Sequence, residues 1–168
     1  MAGAHTLRET ERHVDERLAG MDIDFQAMAV TSNLFRAASA VRNHLERSVL
    51  AAHDLSWSAF VVLWVVWIWE NIETREIATE AGFSKATLTG VLNTLEKRGY
   101  STRKRSKDDG RLVIVSMTAK GRKLMEQLFP LFNQQEQFVA SALNAKTQPI
   151  VADGLRKITE LTEPSLEN

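Results

Sequence analysis

The sequence predicts a mainly α-helical fold that carries one small β-hairpin, and two patterns support this prediction. Along most of the chain, apolar residues recur at steps of three and four, which is the period of an amphipathic helix. Between residues 100 and 117 the pattern changes to two short strand-like runs on either side of a polar turn. Serine or threonine precedes several helical segments and glycine follows some of them, as at helix ends.

The composition favours a folded globular protein and excludes several other classes. Hydrophobic residues make up 44% of the chain and charged residues 25%, a balance that is too apolar for a disordered protein. There is no cysteine, which excludes disulfides and thiol-based redox sensing. The longest apolar stretch, residues 57–69, is shorter than the roughly 20 residues of a membrane span. The N-terminus lacks the apolar core of a signal peptide, so we expect a cytoplasmic protein without membrane contact.

The charges are unevenly distributed along the chain. It contains 21 basic and 21 acidic residues and therefore has no formal net charge. Residues 84–111 nevertheless contain eight lysines and arginines against three acidic residues, a net charge of +5 that leaves −5 for the remainder. A concentrated positive region of this kind is typical of a surface that binds a polyanion.

The first half of the chain is predicted to be helical. Residues 1–20 are densely charged, with apolar residues spaced loosely as on a helix, and form an extension. Residues 23–50 have the apolar stripe of a long amphipathic helix. Ser56 can cap the next helix, which is apolar nearly all round and therefore central.

Two short helices follow. Thr74 can cap a helix that runs through Ala81, and Gly82 can end it in a left-handed conformation. Ser84 can cap the next one, which ends at Gly99. Its inward positions are all apolar: Leu88, Val91, Leu92 and Leu95. Two capped helices joined by Gly-Phe predict a helix-turn-helix.

The C-terminal part combines a hairpin with two helices. Residues 100–105 and 112–117 are predicted to be strands joined by a basic turn. Thr118 can cap a long helix in which Pro130 should cause a kink or a break. Thr147 and Pro149 open a last helix with an apolar face formed by Val151, Leu155, Ile158 and Leu161.

A helix-turn-helix followed by a basic hairpin suits the grooves of duplex DNA. The second helix begins at Ser84 and turns Lys85, Ala86, Thr87, Thr89, Gly90 and Asn93 outward, where they can meet base edges and phosphates. The hairpin adds Arg103, Lys104 and Arg105 in its first strand and Lys107 and Arg111 at its tip. An arginine on a thin turn can enter the minor groove. Asp109 stands two residues before Arg111 and can orient its guanidinium by a bidentate contact.

The run from Asp109 to Gly121, DGRLVIVSMTAKG, resembles the wing signature of MarR-type transcriptional regulators. Residues 84–103 resemble the recognition helix of that family and the strand that follows it, and the resemblance extends over about residues 25–162. It implies a winged helix-turn-helix fold and an obligate homodimer held by the first and last helices. It also implies a pseudo-palindromic operator and release by a small, frequently aromatic ligand. Gly90 stands where the family often has an arginine.

The predicted elements divide the chain into four segments. These are an N-terminal extension (residues 1–20), a dimerisation helix (21–54), a winged DNA-binding domain (55–118) and C-terminal dimerisation helices (119–168). The first and last helices contain more large apolar residues than a small winged domain can cover. We therefore expect a homodimer with a helical stem.

A ligand pocket is the least specific of these predictions. All four tryptophans lie in one helix, and Trp57, Trp64 and Trp67 could line an aromatic pocket together with His44. Equally, the same tryptophans could simply be core residues. Two functions stay open: a ligand-responsive regulator, with repression favoured, and a constitutive DNA-binding regulator modulated by a protein partner. No nucleophile–base pair, phosphate loop or metal-ligand spacing suggests an enzyme, a metal site or a cofactor.

Overall fold

The computed structural model describes residues 5–106 and 109–163. Within these ranges the helices are α1 (Leu7–Leu18), α2 (Phe25–Ser48), α3 (Trp57–Trp69), α4 (Thr74–Ala81), α5 (Lys85–Lys97), α6 (Ala119–Ala140) and α7 (Thr147–Thr162). The strands are β1 (Ile72–Glu73), β2 (Ser101–Arg105) and β3 (Val113–Met117), and a single 3-10 turn covers Leu50–His53. The chain forms two compact units that divide between His44 and Leu45.

The first unit contains α1 and most of α2. The N-terminal extension contains the helix α1. Thr6 and Glu9 form a reciprocal capping box at its start. Asn33 Nδ2 on α2 donates a hydrogen bond to Glu11 Oε1 on α1 at 2.7 Å. A polar side-chain contact therefore joins the extension to α2.

The second unit is built around α3. Its side chains Ala59, Phe60, Val62, Leu63, Val65 and Val66 are buried. Ser56 caps the helix as predicted, with its Oγ accepting from the Ala59 amide at 3.2 Å, and Glu46 Oε1 accepts from the Trp57 amide at 3.0 Å. The surrounding elements contribute further fully buried residues to the same core: Ile77, Leu92, Leu95, Val115, Met125 and Leu128.

The two short helices have the predicted limits, with one difference in capping. Glu73, not Thr74, is the N-cap of α4, and it forms a capping box with Glu76. Gly82 ends α4 with φ of 64°, a left-handed conformation that glycine adopts without strain. Ser84 caps α5 by accepting from the Thr87 amide at 3.1 Å. Local contacts therefore define the start of α4, the end of α4 and the start of α5.

The hairpin belongs to a three-stranded antiparallel sheet in the order β1-β3-β2. Ile72 pairs with Val115, and Ser101 pairs with Met117. Strand β1 is not predicted from the sequence, because a two-residue strand is too short to show an alternating pattern. It follows Glu70 and Asn71, which have positive φ, and Ser116 Oγ donates to Asn71 Oδ1 at 2.6 Å. β1 thereby attaches the hairpin to the segment between α3 and α4.

Of the two outcomes predicted for Pro130, a break in α6 does not occur, while a kink stays a prediction. The helix continues from Ala119 to Ala140 with the proline inside it. Proline removes the hydrogen bond to the carbonyl four residues earlier, that of Glu126. Both Pro130 and Glu126 are exposed, whereas Leu128 and Phe132 are buried. Water can therefore donate to the Glu126 carbonyl while packing holds the opposite face of the helix.

α7 differs from the other helices of its unit because none of its residues is buried. Gln148 Nε2 donates to the carbonyls of Ala140 and Leu143, which connects the start of α7 to the end of α6. Its apolar side chains point largely into solvent, with Ile150 70% and Leu161 87% exposed. No helix in the described ranges is both long and apolar enough to cross a bilayer.

Candidate nucleic-acid interface

The outer face of α5 is exposed and polar. Leu88, Leu92 and Leu95 are buried on the inner face, which leaves the opposite face turned to solvent because side chains three or four residues apart share one side of a helix. All the residues predicted for DNA contact on this helix are exposed: Ser84, Lys85, Ala86, Thr87, Thr89, Gly90 and Asn93. The first turn therefore presents a lysine, hydroxyl groups and free amide donors together.

Hydrogen bonds within α5 set what its hydroxyl groups can offer. Ser84 Oγ and Thr87 Oγ1 lie 2.9 Å apart and share one hydrogen bond. Thr89 Oγ1 donates to the Lys85 carbonyl at 2.7 Å, so its remaining capacity is that of an acceptor with an adjacent methyl group. Gly90 has no described heavy atom within 4 Å of the position that a Cβ would take. The helix surface is therefore flat at Gly90.

Arg103 makes a tertiary contact across the interface. Its Nη2 donates to Asn93 Oδ1 and to Glu96 Oε2, each at 2.6 Å. The sequence predicts Arg103 as a DNA-contacting residue, and in the structure this nitrogen contacts two side chains of α5. The Arg103 hydrogen bond holds the pKa of the Glu96 carboxyl below its usual value. Strand β2 is thus joined to the outer face of the recognition helix.

The hairpin beyond this contact carries exposed cations. Lys104 and Arg105 are exposed on β2, where they pair with Ile114 and Val113 of β3. Lys107 lies outside the described residues, as does Asp108. The hairpin thereby extends the basic surface away from α5.

Asp109 and Arg111 form a compact ion pair at the hairpin tip. Arg111 Nη2 donates to Asp109 Oδ2 at 2.9 Å, and Arg111 Nε donates to Oδ1 at 3.1 Å. The Arg111 backbone amide also donates to Oδ1 at 2.9 Å. These bonds hold the pKa of the Asp109 carboxyl below its usual value and raise the pKa of Arg111. The Arg111 side chain is still 90% exposed, so the guanidinium is oriented and accessible at once.

The structure adds one residue that sequence reasoning missed. A groove of about 610 Å³ lies between α4, α5 and the hairpin, and Arg75 lines it together with Lys85, Arg103 and Arg111. Arg75 lies in the first turn of α4, outside the basic stretch of residues 84–111. The local sequence around Arg75 does not indicate a place in this groove, because only the packing of α4 beside α5 brings the residue there.

Two cations lie against the Tyr100 ring at the start of the hairpin. Arg98 Cζ and Lys120 Nζ lie 5.1 and 5.0 Å from the centre of the Tyr100 ring. Arg98 also donates to the carbonyls of His53 and Asp54, and Lys120 Nζ donates to the Arg98 carbonyl at 2.8 Å. The end of α5 is therefore tied both to the 3-10 turn and to the start of α6.

Three of the four tryptophans of α3 fall into two aromatic groups, and the fourth, Trp69, is exposed. Trp64 stacks on Phe129 with ring centres 4.6 Å apart, and Trp67 is tilted against both rings. Trp57 instead lies beside Phe60 and Phe132, which stack at 4.2 Å. The three tryptophans predicted for a pocket are all half-buried. His44 belongs to α2 and to the other compact unit. No group of three or more potential metal ligands occurs among the described residues.

Comparison with known proteins identifies the family. The model of the family "Transcriptional regulator SarA/Rot" matches residues 44–128. The HTH-type transcriptional regulator YwaE of Bacillus subtilis (strain 168) is 34% identical over 157 residues, which cover 92% of each chain. The chain belongs to the MarR/SarA family of transcriptional regulators. It is therefore a DNA-binding regulator of the MarR type and not an enzyme.

Solved structures of MarR-type regulators have the same fold. The regulator BpsR of Bordetella bronchiseptica, whose DNA binding is regulated by 6-hydroxynicotinic acid, aligns with a TM-score of 0.73 at 24% identity, over 79% of this chain and 99% of BpsR. The S. aureus MepR–DNA complex aligns with a TM-score of 0.68 at 22% identity, over 76% of this chain and 94% of MepR. These likenesses confirm the predicted fold class, to which the structure adds strand β1.

Proposed function

We propose that this regulator binds a pseudo-palindromic operator as a homodimer and is released from it by a small aromatic ligand. The observation that carries the proposal is the exposed polar face of α5 beside a hairpin tip whose Arg111 is oriented by Asp109 and 90% exposed. A helix of this kind fits the major groove, and an arginine on a thin turn fits the minor groove. The remainder of the surface supplies cations for the phosphates.

The proposed contacts divide into two classes. Thr87, Thr89 and Asn93 would contact base edges. Ala86 and Gly90 on the same face have small or no side chains, so they would let the helix approach the bases closely. Cations and the helix start would meet phosphates: Ser84, Lys85, Arg75, Lys104, Arg105 and Lys107. Base contacts specify the sequence, whereas phosphate contacts position the protein and provide most of the general affinity. Repression would follow from occupancy of a promoter.

The homodimer is supported by the apolar residues that the chain leaves exposed. On α6 and α7 these are Leu131, Phe138, Ile150, Val151, Leu155 and Leu161. In the first unit Val30 and Phe35 on α2 are 54% and 70% exposed. Surfaces of this kind usually mark protein interfaces. A two-fold dimer would place one α5 in each half-site, about one DNA turn or roughly 34 Å apart.

Release by a ligand is supported by the aromatic group of Trp64, Trp67 and Phe129 and by the regulation of BpsR by 6-hydroxynicotinic acid. A flat aromatic compound could stack against half-buried rings of this kind. Because both α5 helices must fit the same duplex, a ligand that favours a different spacing of the two would reduce operator affinity.

The DNA-binding surface is tested by Arg111→Ala. Its exposed side chain supports no core, so thermal stability should be unchanged while operator affinity falls about tenfold. The slope of log affinity against log salt should decrease by about one unit for each phosphate that the variant no longer binds. Arg156→Ala, which removes an exposed arginine of α7, is the matched control and should leave both quantities unchanged. An unaltered affinity and slope for Arg111→Ala would refute the proposed wing contact.

The ligand is tested with a panel of small aromatic acids that includes 6-hydroxynicotinic acid. A true effector should raise the melting temperature of the free protein, because it binds only the native state. It should also quench tryptophan fluorescence and release operator DNA at the same concentrations. Trp67→Leu should weaken all three responses. If no compound in the panel produces them, the constitutive regulator modulated by a protein partner becomes the better proposal.

A further inference from the structure

The contact between Arg103 and Asn93 constrains how the recognition helix can read bases. Arg103 Nη2 has two hydrogens, and it donates one to Glu96 Oε2 and the other to Asn93 Oδ1, each at 2.6 Å. Asn93 makes no other side-chain hydrogen bond within the described ranges, and its side chain is exposed on the outer face of α5. The Asn93 amide is thus bonded through Oδ1, while its Nδ2 group is available to a ligand.

The chemistry of the two groups decides which end is held. A guanidinium only donates hydrogen bonds, so the amide atom that faces Arg103 must be the oxygen. The amide is planar, and Nδ2 therefore lies on the other branch of Cγ, away from that contact. A second N–H donor brought to Oδ1 would lie beside the positively charged guanidinium. Asn93 consequently offers the DNA a donor and little acceptor capacity.

We propose that Arg103 is a positioning residue that makes Asn93 a donor-only reader of one base in each half-site. The bidentate contact of a free asparagine with adenine needs both an acceptor and a donor. A donor alone favours guanine, whose major-groove edge has two acceptors and no donor. Thymine has one acceptor, adenine has one acceptor beside a donor, and cytosine, which presents only a donor, is rejected. This inference rests on the proposed insertion of α5 into the major groove.

Glu96 completes the arrangement. It lies three residues after Asn93 and therefore on the same side of α5. Its ion pair with Arg103 is only partly exposed, with side-chain exposures of 27% for Arg103 and 29% for Glu96. This ion pair keeps the Arg103 guanidinium against α5. Without Glu96, the guanidinium would be attracted to a DNA phosphate. The sequence preference at the Asn93 position therefore depends on three side chains, of which one meets the base.

The test is selection of bound sequences from a pool of randomised duplexes, each about three DNA turns long, by the full chain and its variants. The wild type should select guanine over cytosine by at least about fivefold at one position in each half-site, and Asn93→Ala should flatten that position alone. Asn93→Asp keeps an oxygen for Arg103 but presents a second acceptor, so the preference there should reverse to cytosine or adenine. A merely structural role for Asn93 predicts an equal loss at all positions and no reversal.

Two substitutions of Arg103 provide the complementary test. Arg103→Lys retains a donor for Oδ1 and should keep the guanine preference. Arg103→Met frees the amide, so adenine should gain at the same position. If Arg103→Met fails to fold, as judged by circular dichroism and melting temperature, Asn93→Asp decides the question because Arg103 is left in place.

The outcomes separate this inference from the function on which it rests. The inference is overturned if adenine or cytosine is selected by the wild type at the position that Asn93→Ala flattens, or if Asn93→Asp keeps the wild-type profile. In either case, if Arg111→Ala still binds the operator more weakly than the wild type, the proposal of a DNA-binding surface stands. If the wild type selects no sequence and Arg111→Ala binds as the wild type does, the proposed function itself fails.

Discussion

The helix-turn-helix and α7 belong to the same compact unit, but they differ in how many of their apolar side chains are buried. α5 has 13 residues and buries Leu88, Leu92 and Leu95, whereas α7 has 16 residues and buries none. Polar contacts differ in the same way. Arg103 reaches α5 from another element, while the ion pairs of Asp153 with Arg156 and Lys157 stay within α7. The winged part is therefore packed within the chain itself, whereas α7 leaves its apolar face exposed.

The two regions also use glycine differently. Gly121, near the start of α6, allows close packing, because a Cβ built there would overlap the Tyr100 carbonyl oxygen. Gly154 on α7 has no described heavy atom within 4 Å of its Cβ position. Where the backbone of one element contacts another, glycine is a packing requirement. On an element without such a contact it only lowers helix stability.

The largest expected effect is on self-association, through Leu155→Arg. Leu155 is 42% exposed, so the winged domain should fold, but an arginine in a helical stem would leave a charge against apolar residues of the partner. We expect the dissociation constant of the dimer to rise at least about tenfold. Operator affinity should fall about a hundredfold as the two half-sites lose their linkage. Sedimentation equilibrium and DNA titration measure these quantities.

The control for Leu155→Arg is Glu160→Arg, which places the same side chain at another exposed position of α7. It should leave dimerisation and operator affinity nearly unchanged. A wild-type chain that sediments as a monomer at micromolar concentration would contradict both the dimer and the covered face of α7.

The next largest effect is expected from Gly121→Ala. The new methyl group would clash with the Tyr100 carbonyl and with Met117 Cγ, so the start of α6 must separate from β2 and β3. We expect a loss of about 2 kcal/mol in the free energy of unfolding, measured by denaturant titration. Gly154→Ala should instead stabilise the protein by about 0.5–1 kcal/mol, because alanine is the better helix former. Equal effects of the two substitutions would remove the contrast between the regions.

The smallest effect is expected at Glu96. Its pKa in the folded protein is lowered by the hydrogen bond from Arg103, so the pair stabilises the protein above the usual carboxyl value of 4.5. That contribution is lost as the pH falls through the folded pKa. Glu96→Gln should therefore lower stability by about 1 kcal/mol or less at pH 7. The difference from wild type should shrink as the pH falls below about 4.

The matched control for Glu96→Gln is Asp153→Asn on α7. This substitution removes exposed ion pairs within one helix, which typically contribute only about 0.3–0.5 kcal/mol. If Glu96→Gln changes stability no more than Asp153→Asn at pH 7, the tertiary pair contributes no more than a local one.

The sequence alone determined the features that depend on near neighbours. Ser56, Ser84 and Thr118 are predicted helix caps, and each accepts a hydrogen bond from a backbone amide three residues later. The order of the helix-turn-helix and hairpin follows from the change in apolar period, and the run from Asp109 to Gly121 indicates the family. These signals are readable because caps, glycine turns and helical stripes depend on residues within about one turn of each other.

Only the tertiary structure decided the features that join distant residues. Strand β1 pairs Ile72 with Val115, Phe132 beyond Pro130 stacks on Phe60, and Arg75 lines the groove between α4, α5 and the hairpin. In the sequence Arg103 is one more cation in a basic strand, yet it contacts Asn93 and Glu96 across the turn. In each case the contact depends on which elements pack against each other. The apolar period of one element does not indicate which distant residue it will contact.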